Sequence, residues 1–361
     1  MAALFKPGCL PVLIGSLPVK NHIEAVETIL RHTPEVPLWP QLPKLPGEGM
    51  VRQFLSGFPG LRDEGGRYWI DTESDGFVEE MASFYEEYLK VIEDPTLLKD
   101  SRFGLKTDTA KGFYAFTDML EGNNHPFITL KGQVTGPMTT GIGVMDQHKR
   151  SIFFDDNLRD MLIKLLALKG RWQAAELKRF TGDTPPIIFV DEPGIVSFGS
   201  SAFMGVSREM VSDAVTEMIA SIHAGGGITG VHICANGDWA PVLGSNTDII
   251  SFDAYFYFDN FILFKDQLID FLSRGGFLAW GIIPTGDPLI IEKVNSNELF
   301  SMWRDQLKLL STFGFTEKQL MEQTFIAPSC GTGSLPHDLA LKVLRMTGEV
   351  AKKAQNHLQK Q

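Results

Sequence analysis

The sequence predicts an α/β fold, a single (β/α)8 TIM barrel, and three observations carry that expectation. Short apolar runs alternate with longer amphipathic stretches along the chain, which is the pattern of repeated βα units. The runs are nearly continuous in apolar residues rather than alternating, as strands buried on both faces must be. Eight such runs occur, the number that closes a parallel barrel.

In order, the candidate strands are 11–16 (PVLIGS), 37–42 (PLWPQL), 127–133 (FITLKGQ), 187–192 (IIFVDE), 228–234 (ITGVHIC), 248–254 (DIISFDA), 277–283 (FLAWGII) and 325–330 (FIAPSC). Helical periodicity covers 74–93, 154–181, 206–224, 259–273, 290–313 and 335–358. Ser207 stands just ahead of the third of these as an N-cap. The stretch from about 43 to 126 is too long for a plain βα connection. It reads as an elaborated insertion between the second and third candidate strands, with helices of its own. Gly225-Gly226-Gly227 follows a helix and precedes a strand, the reverse of a phosphate loop, and reads as a C-terminal turn. An open doubly wound sheet is the competing architecture.

The chain has 361 residues, 43% of them hydrophobic, which is ample for one barrel domain over 1–361. A net charge of −11 provides no basic footprint for nucleic acid or for an anionic membrane surface. No apolar run reaches the roughly 18 residues a membrane span needs. The N-terminal apolar stretch is broken by Pro7, Gly8 and Pro11, unlike a secretory signal. Three cysteines, Cys9, Cys234 and Cys330, do not make a disulfide framework, so a reducing, cytoplasmic setting is expected.

A barrel collects its chemistry at the C-terminal ends of its strands. Those ends read Ser16, Gln41, Gln133, Asp191, His232, Cys234, Asp253 and Cys330, a polar set terminating apolar runs. His232 and Cys234 are spaced i, i+2 and so point to one face of a strand. Cys330 ends the last candidate strand and would open onto the same mouth. Each of the three alone is ordinarily a packed or hydrogen-bonded side chain. Together they form a donor set of two sulfurs and one imidazole that suits zinc. Asp253, or a group of the substrate, supplies the fourth position. Cys9 precedes the first strand and is expected only to pack.

At these residues a resemblance becomes specific. His232-Ile-Cys234 followed by Cys330-Gly331 resembles the metal site of the cobalamin-independent methionine synthase catalytic domain and of related corrinoid-linked methyltransferases. These share a barrel superfamily with uroporphyrinogen decarboxylase. Ile14-Gly15-Ser16-Leu17-Pro18, Val134-Thr135-Gly136-Pro137-Met138-Thr139 and Asp191-Glu192-Pro193 resemble three further motifs of that family, in the same order.

The resemblance implies a zinc-dependent methyltransferase that activates a thiol, homocysteine, and methylates it to methionine. It implies Ser16 at the substrate carboxylate, Asp191 at the ammonium, Glu48 as the second carboxylate of the ammonium pocket, and Asp253 near the family's glutamate ligand. Two family features are missing. The stretch 278–285 carries no histidine, and no tryptophan follows the TGP segment. Both serve folate in the family, so methylcobalamin or a methylated corrinoid protein is the expected donor and partner. The competing functions are a uroporphyrinogen decarboxylase-like enzyme, a methyltransferase for another thiol such as coenzyme M, and a non-catalytic zinc- or corrinoid-binding module. His22, His125, His148 and His337 are expected at the surface, Glu192 in solvent or in a loop salt bridge, and Tyr255-Phe256-Tyr257-Phe258 in core packing.

Overall fold

Six strands in sequential order build the parallel sheet on which the rest of the chain is hung. The computed structural model describes residues 5–122, 126–197 and 205–361, so His125 lies outside the described residues. Helix α1 (His22–His32) is followed by strands β1 (Leu61–Glu64) and β2 (Arg67–Ile70), then α2 (Phe77–Glu93) and α3 (Lys111–Gly122). The sheet begins with β3 (Lys131–Thr135), α4 (Pro137–Gly143), α5 (Asp156–Thr181), β4 (Ile187–Asp191), α6 (Arg208–Ala224) and β5 (Ile228–Ile233). It continues with α7 (Ala240–Leu243), β6 (Ile249–Phe252), α8 (Ala254–Phe261), α9 (Lys265–Ser273) and β7 (Phe277–Ile283). Helices α10 (Pro288–Lys293), α11 (Ser296–Ser311) and α12 (Glu317–Glu322) lead into β8 (Thr324–Pro328), and α13 (His337–Leu358) closes the chain.

The first two candidate strands do not form regular strands. Segments 11–16 and 37–42 meet their neighbours only by single parallel bridges, Pro11 to Ile326, Ser16 to Gln41 and Leu38 to Lys131. The reason lies in their prolines: Pro11, Pro37 and Pro40 have no N–H to give to a ladder. The remaining backbone groups still bond across. Val12 N–H donates to the Ile326 carbonyl at 2.9 Å, Gln41 N–H to Gly15 at 3.1 Å, and Lys131 N–H to Pro37 at 2.9 Å.

The third candidate strand starts later than expected, at Lys131, because Ile128 and Thr129 turn their N–H groups to the carbonyl of Glu35. The last ends at Pro328, two residues before Cys330. The helical stretch 259–273 divides into α8 and α9. The stretch 290–313 divides into α10 and α11 at Asn295, whose side chain forms a capping box with Glu298.

The insertion carries its own helices, as expected, together with an unforeseen hairpin. β1 and β2 pair antiparallel with Glu64 opposite Arg67. Gly65 and Gly66 between them take φ of +57° and +83°, the left-handed conformations a two-residue hairpin turn demands.

Inward-facing residues of the sheet and of segment 10–14 share one buried cluster. It includes Val12, Ile14, Ile187, Phe189, Ile228, Ile249, Ala279, Phe325 and Ala327. A second cluster packs α5 against α2, α3 and β3, and a third packs α13, α11 and α6 against β5 to β8. Phe258 stacks on Trp280 at 5.7 Å, which is core packing, while Phe256 of the same aromatic run is 43% exposed. Ser207 accepts from Met210 N–H and caps α6 as expected, and Gly225 ends that helix. Among the described residues, no helix is long and apolar enough to cross a membrane.

Candidate metal centre and its surroundings

Parallel registration does the first part of the assembly. Asp191 at the end of β4 lies beside His232 of β5, and His232 lies beside Ser251 of β6. His232 and Cys234 leave the end of β5 together. Cys330 follows the end of β8 after Pro328 has terminated the ladder. The imidazole nitrogen and the two sulfurs lie within 4.8 Å of one another. Among the described residues this is the one group of three or more such donors drawn so close, and Asp253 is outside it.

The three side chains sit in distinct environments. His232 is buried, and its Nδ1 lies 2.9 Å from Ser251 Oγ. An Nδ1–H donated to Ser251 leaves a lone pair on Nε2, the arrangement in which metal-binding histidines are usually oriented. Nε2 is buried and has no partner. The two cysteine side chains hydrogen-bond to one another. The hydrogen bond from Cys330, followed by His232, brings the Cys234 thiol down to about 4, against the desolvation that opposes it. The same contact with Cys234, together with burial, raises Cys330 well above the ordinary thiol range. Two cysteine sulfurs and one imidazole nitrogen, drawn within 4.8 Å of one another, fit a zinc ion in donor type.

The carboxylates around the triad are distributed differently from one another. Asp191 is buried, with Oδ1 lacking any partner. Burial pushes its carboxyl up to about 6, partly offset by His232 and Lys131. Asp253 is also raised to about 6 by burial, but its Oδ1 accepts from Phe256 N–H at 3.0 Å and caps α8. Ser16 Oγ accepts from Gly333 N–H at 3.1 Å, and the Ser16 carbonyl accepts from Thr332. A Cβ at Gly331, beside Cys330, would stand 2.2 Å from Ser16 Oγ, so a side chain there would force that hydroxyl to move. Gln41 donates to Gln53 at 2.9 Å, and Gln133 donates to the Trp39 carbonyl at 3.0 Å.

Glu192 corrects an expectation. It is neither exposed nor in a salt bridge but fully buried. Its Oε2 accepts from Met138 N–H at 3.1 Å, and its Oε1 accepts from both the N–H (2.6 Å) and the hydroxyl of Thr139. The first turn of α4 has N–H groups without helical partners, and Glu192 at the end of β4 is the acceptor that reaches them. Burial nevertheless raises its carboxyl to about 7. Glu192→Gln is expected to lower the unfolding free energy by about 1–3 kcal/mol. The amide puts a donor where both oxygens accept, and the effect is read as a lower urea midpoint.

Three residues at the site carried no motif. Lys131 is fully buried; its Nζ donates to the Ile14 carbonyl at 2.6 Å and lies 4.3 Å from the centre of the Phe189 ring. Burial lowers its amine to about 7, and Asp191 opposes the shift. The apolar run around Lys131 was the available signal, since a lysine in a buried strand must find acceptors inside. Ser251 could be found only from strand register. His22, expected at the surface, is half-buried against Glu48, whereas His148 pairs with Glu73 in the open as expected. His337 is exposed at the start of α13.

No family model matches the chain. A methionine synthase of Methanocaldococcus jannaschii is 26% identical over 229 residues, covering 63% of this chain and 66% of that protein. Over that stretch the chain is similar in sequence to this methionine synthase. The matched part spans just under two thirds of that relative's length. A B12-independent methionine synthase from Shewanella sp. W3-18-1, solved in complex with selenomethionine, superposes with a TM-score of 0.54 at 16% identity. That superposition covers 98% of this chain and all of the other, and it places the fold with proteins of TIM-barrel type. A methyltransferase from Methanosarcina mazei superposes at a TM-score of 0.49 and 10% identity, covering 96% of this chain and 94% of its own.

Proposed function

We propose that this chain is a zinc-dependent methyltransferase that methylates a thiol, homocysteine, with a methylated corrinoid as donor. The observation that carries the reading is the convergence of His232, Cys234 and Cys330 within 4.8 Å, with a buried His232 Nε2 that has no partner. Two unpartnered buried oxygens, Asp191 Oδ1 and Glu48 Oε2, add the means to hold an ammonium group. A sulfonate thiol such as coenzyme M would leave both oxygens unpaired, so the pair favours an amino-acid thiol.

In this reading His232, Cys234 and Cys330 hold zinc, and Asp253 stands by as a fourth ligand. When bound, zinc makes a coordinated thiol ionise at neutral pH without redox chemistry. Ser251 holds the His232 ring through Nδ1 and leaves Nε2 for the metal. Asp191 and Glu48 receive the substrate ammonium, and the Gly15-Ser16 backbone receives its carboxylate. Fixing both ends of the amino acid places its sulfur at the triad. A methylated corrinoid would supply the methyl group to that sulfur and would keep the electron pair of its carbon–cobalt bond as the leaving group. That leaving group needs no proton, in keeping with a 278–285 segment without histidine.

The same reading takes 11–16 and 37–42 as the first and second strands of a closed eight-membered barrel. The single bridges to β8 and β3 support it, as does the inner cluster that 11–16 shares with the sheet. It also takes the chain as one domain working in the cytoplasm, with a corrinoid protein as partner.

Zinc-loaded protein assayed with homocysteine is expected to turn over methylcobalamin and not methyltetrahydrofolate. X-ray absorption is expected to show one more sulfur around zinc once homocysteine is added. Turnover with folate alone would overturn the donor, and an unchanged coordination shell would overturn thiol activation at the metal.

A further inference from the structure

Glu48 presents its two carboxylate oxygens to different surroundings. Oε1 lies 2.6 Å from Nε2 of His22, whereas Oε2 is buried and meets no partner. The Glu48 side chain is 1% exposed and that of His22 17%, so the pair is largely buried. The segment that carries Glu48 lies over the C-terminal ends of its neighbours. Thr135, the last residue of β3, donates its hydroxyl to the Met50 carbonyl at 2.8 Å, and Gln41 donates to Gln53 at 2.9 Å. Gln41 in turn bridges to Ser16, next to the Cys330 loop. Glu48 therefore stands on the same face of the molecule as the donor triad.

A carboxylate this deeply buried tends to take up a proton, and burial does raise Glu48 above the usual range. A protonated Glu48 would have no charge to offer a cation. His22 is the first of the groups that resist this, and the Leu42 backbone and Lys111 of α3 act in the same direction. His22 does so from the first residue of α1, where Asn21 fixes the helix start by accepting from Glu24 N–H.

We propose that His22 is a positioning residue that grips one oxygen of Glu48 so that the other faces the ammonium group of an amino-acid substrate. His22 itself does not touch the substrate. Its contribution is to selectivity between thiols with and without an ammonium group. The inference rests on the reading above that the substrate is an amino-acid thiol.

The test is calorimetric binding to the zinc-loaded full chain, using L-homocysteine and its desamino analogue 4-sulfanylbutanoate. In the His22→Ala variant, homocysteine binding is expected to weaken roughly 10- to 100-fold, the scale of one charge-assisted hydrogen bond. Binding of the desamino analogue is expected to stay as in the wild type. His22→Gln, which keeps a donor, is expected to recover most of the loss. His22→Ala combined with Glu48→Gln is expected to lose no more than Glu48→Gln alone. A wild-type preference for homocysteine that survives His22→Ala overturns the proposal alone, as does an equal loss of both ligands. Equal binding of the two ligands by the wild type overturns the amino-acid reading and this proposal with it.

Discussion

Cys330→Ser is expected to strip the protein of zinc and, with it, of thiol methylation. The substitution is nearly isosteric, so the fold of the Cys330-Gly331 loop against Ser16 should survive. The alcohol, unlike the thiol, does not ionise into a ligand at neutral pH. Removing residues that merely support a ligand costs roughly 10–100-fold in metal affinity, so removing a ligand costs at least that much. Zinc content after dialysis against a chelator and competition with a chromogenic chelator read the loss directly. Full zinc retention in a folded Cys330→Ser protein would sink the site. Asp253→Asn is the informative companion, because asparagine still caps α8 as aspartate does. A fall in zinc affinity in that variant would therefore report ligation rather than unfolding.

Asp191→Asn separates substrate recognition from metal binding. Asp191 ends β4 beside His232, and its Oδ1 is buried without a partner. Asparagine keeps the shape and removes the charge that a substrate ammonium would meet. The expected cost is about 1.5–3 kcal/mol of binding, a rise in KM for homocysteine of roughly 10- to 100-fold. Zinc content is expected to stay at the wild-type level. The variant also withdraws the anion that favours the charged form of buried Lys131. Lys131 keeps its acceptor on Ile14, so the chain should still fold. An unchanged KM for homocysteine would remove Asp191 from the substrate site.

The three candidate metal donors were legible from the order of residues along the chain. The i, i+2 spacing of His232 and Cys234 and the place of Cys330 after the last apolar run put all three at one end of parallel strands. The structure brings those three atoms together. Asp191 was legible for the same reason, as the polar end of an apolar run. Other features were not, and the causes are specific. Glu192 stands next to Asp191 yet points to the opposite side and buries itself in the first turn of α4, a contact across about 50 residues of chain. Segments 11–16 and 37–42 have strand composition, but their prolines withhold the N–H groups that regular pairing needs. The β1–β2 hairpin was marked by its Gly-Gly turn and was hidden only by the irregular stretch around it.

The sequence by itself determined the alternation of elements, the buried character of the sheet and the donor types that a metal would meet, because periodicity and side-chain chemistry are local properties. Tertiary structure alone decided which of those side chains are satisfied and which are left over. Thus His232 Nδ1 is bonded to Ser251 while Nε2 is free, Asp253 is engaged as a helix cap, and Glu48 is half engaged by His22. The physical reason is that a buried polar atom's partner is set by strand register and by segments far away in the chain. No local pattern records where those segments come to rest.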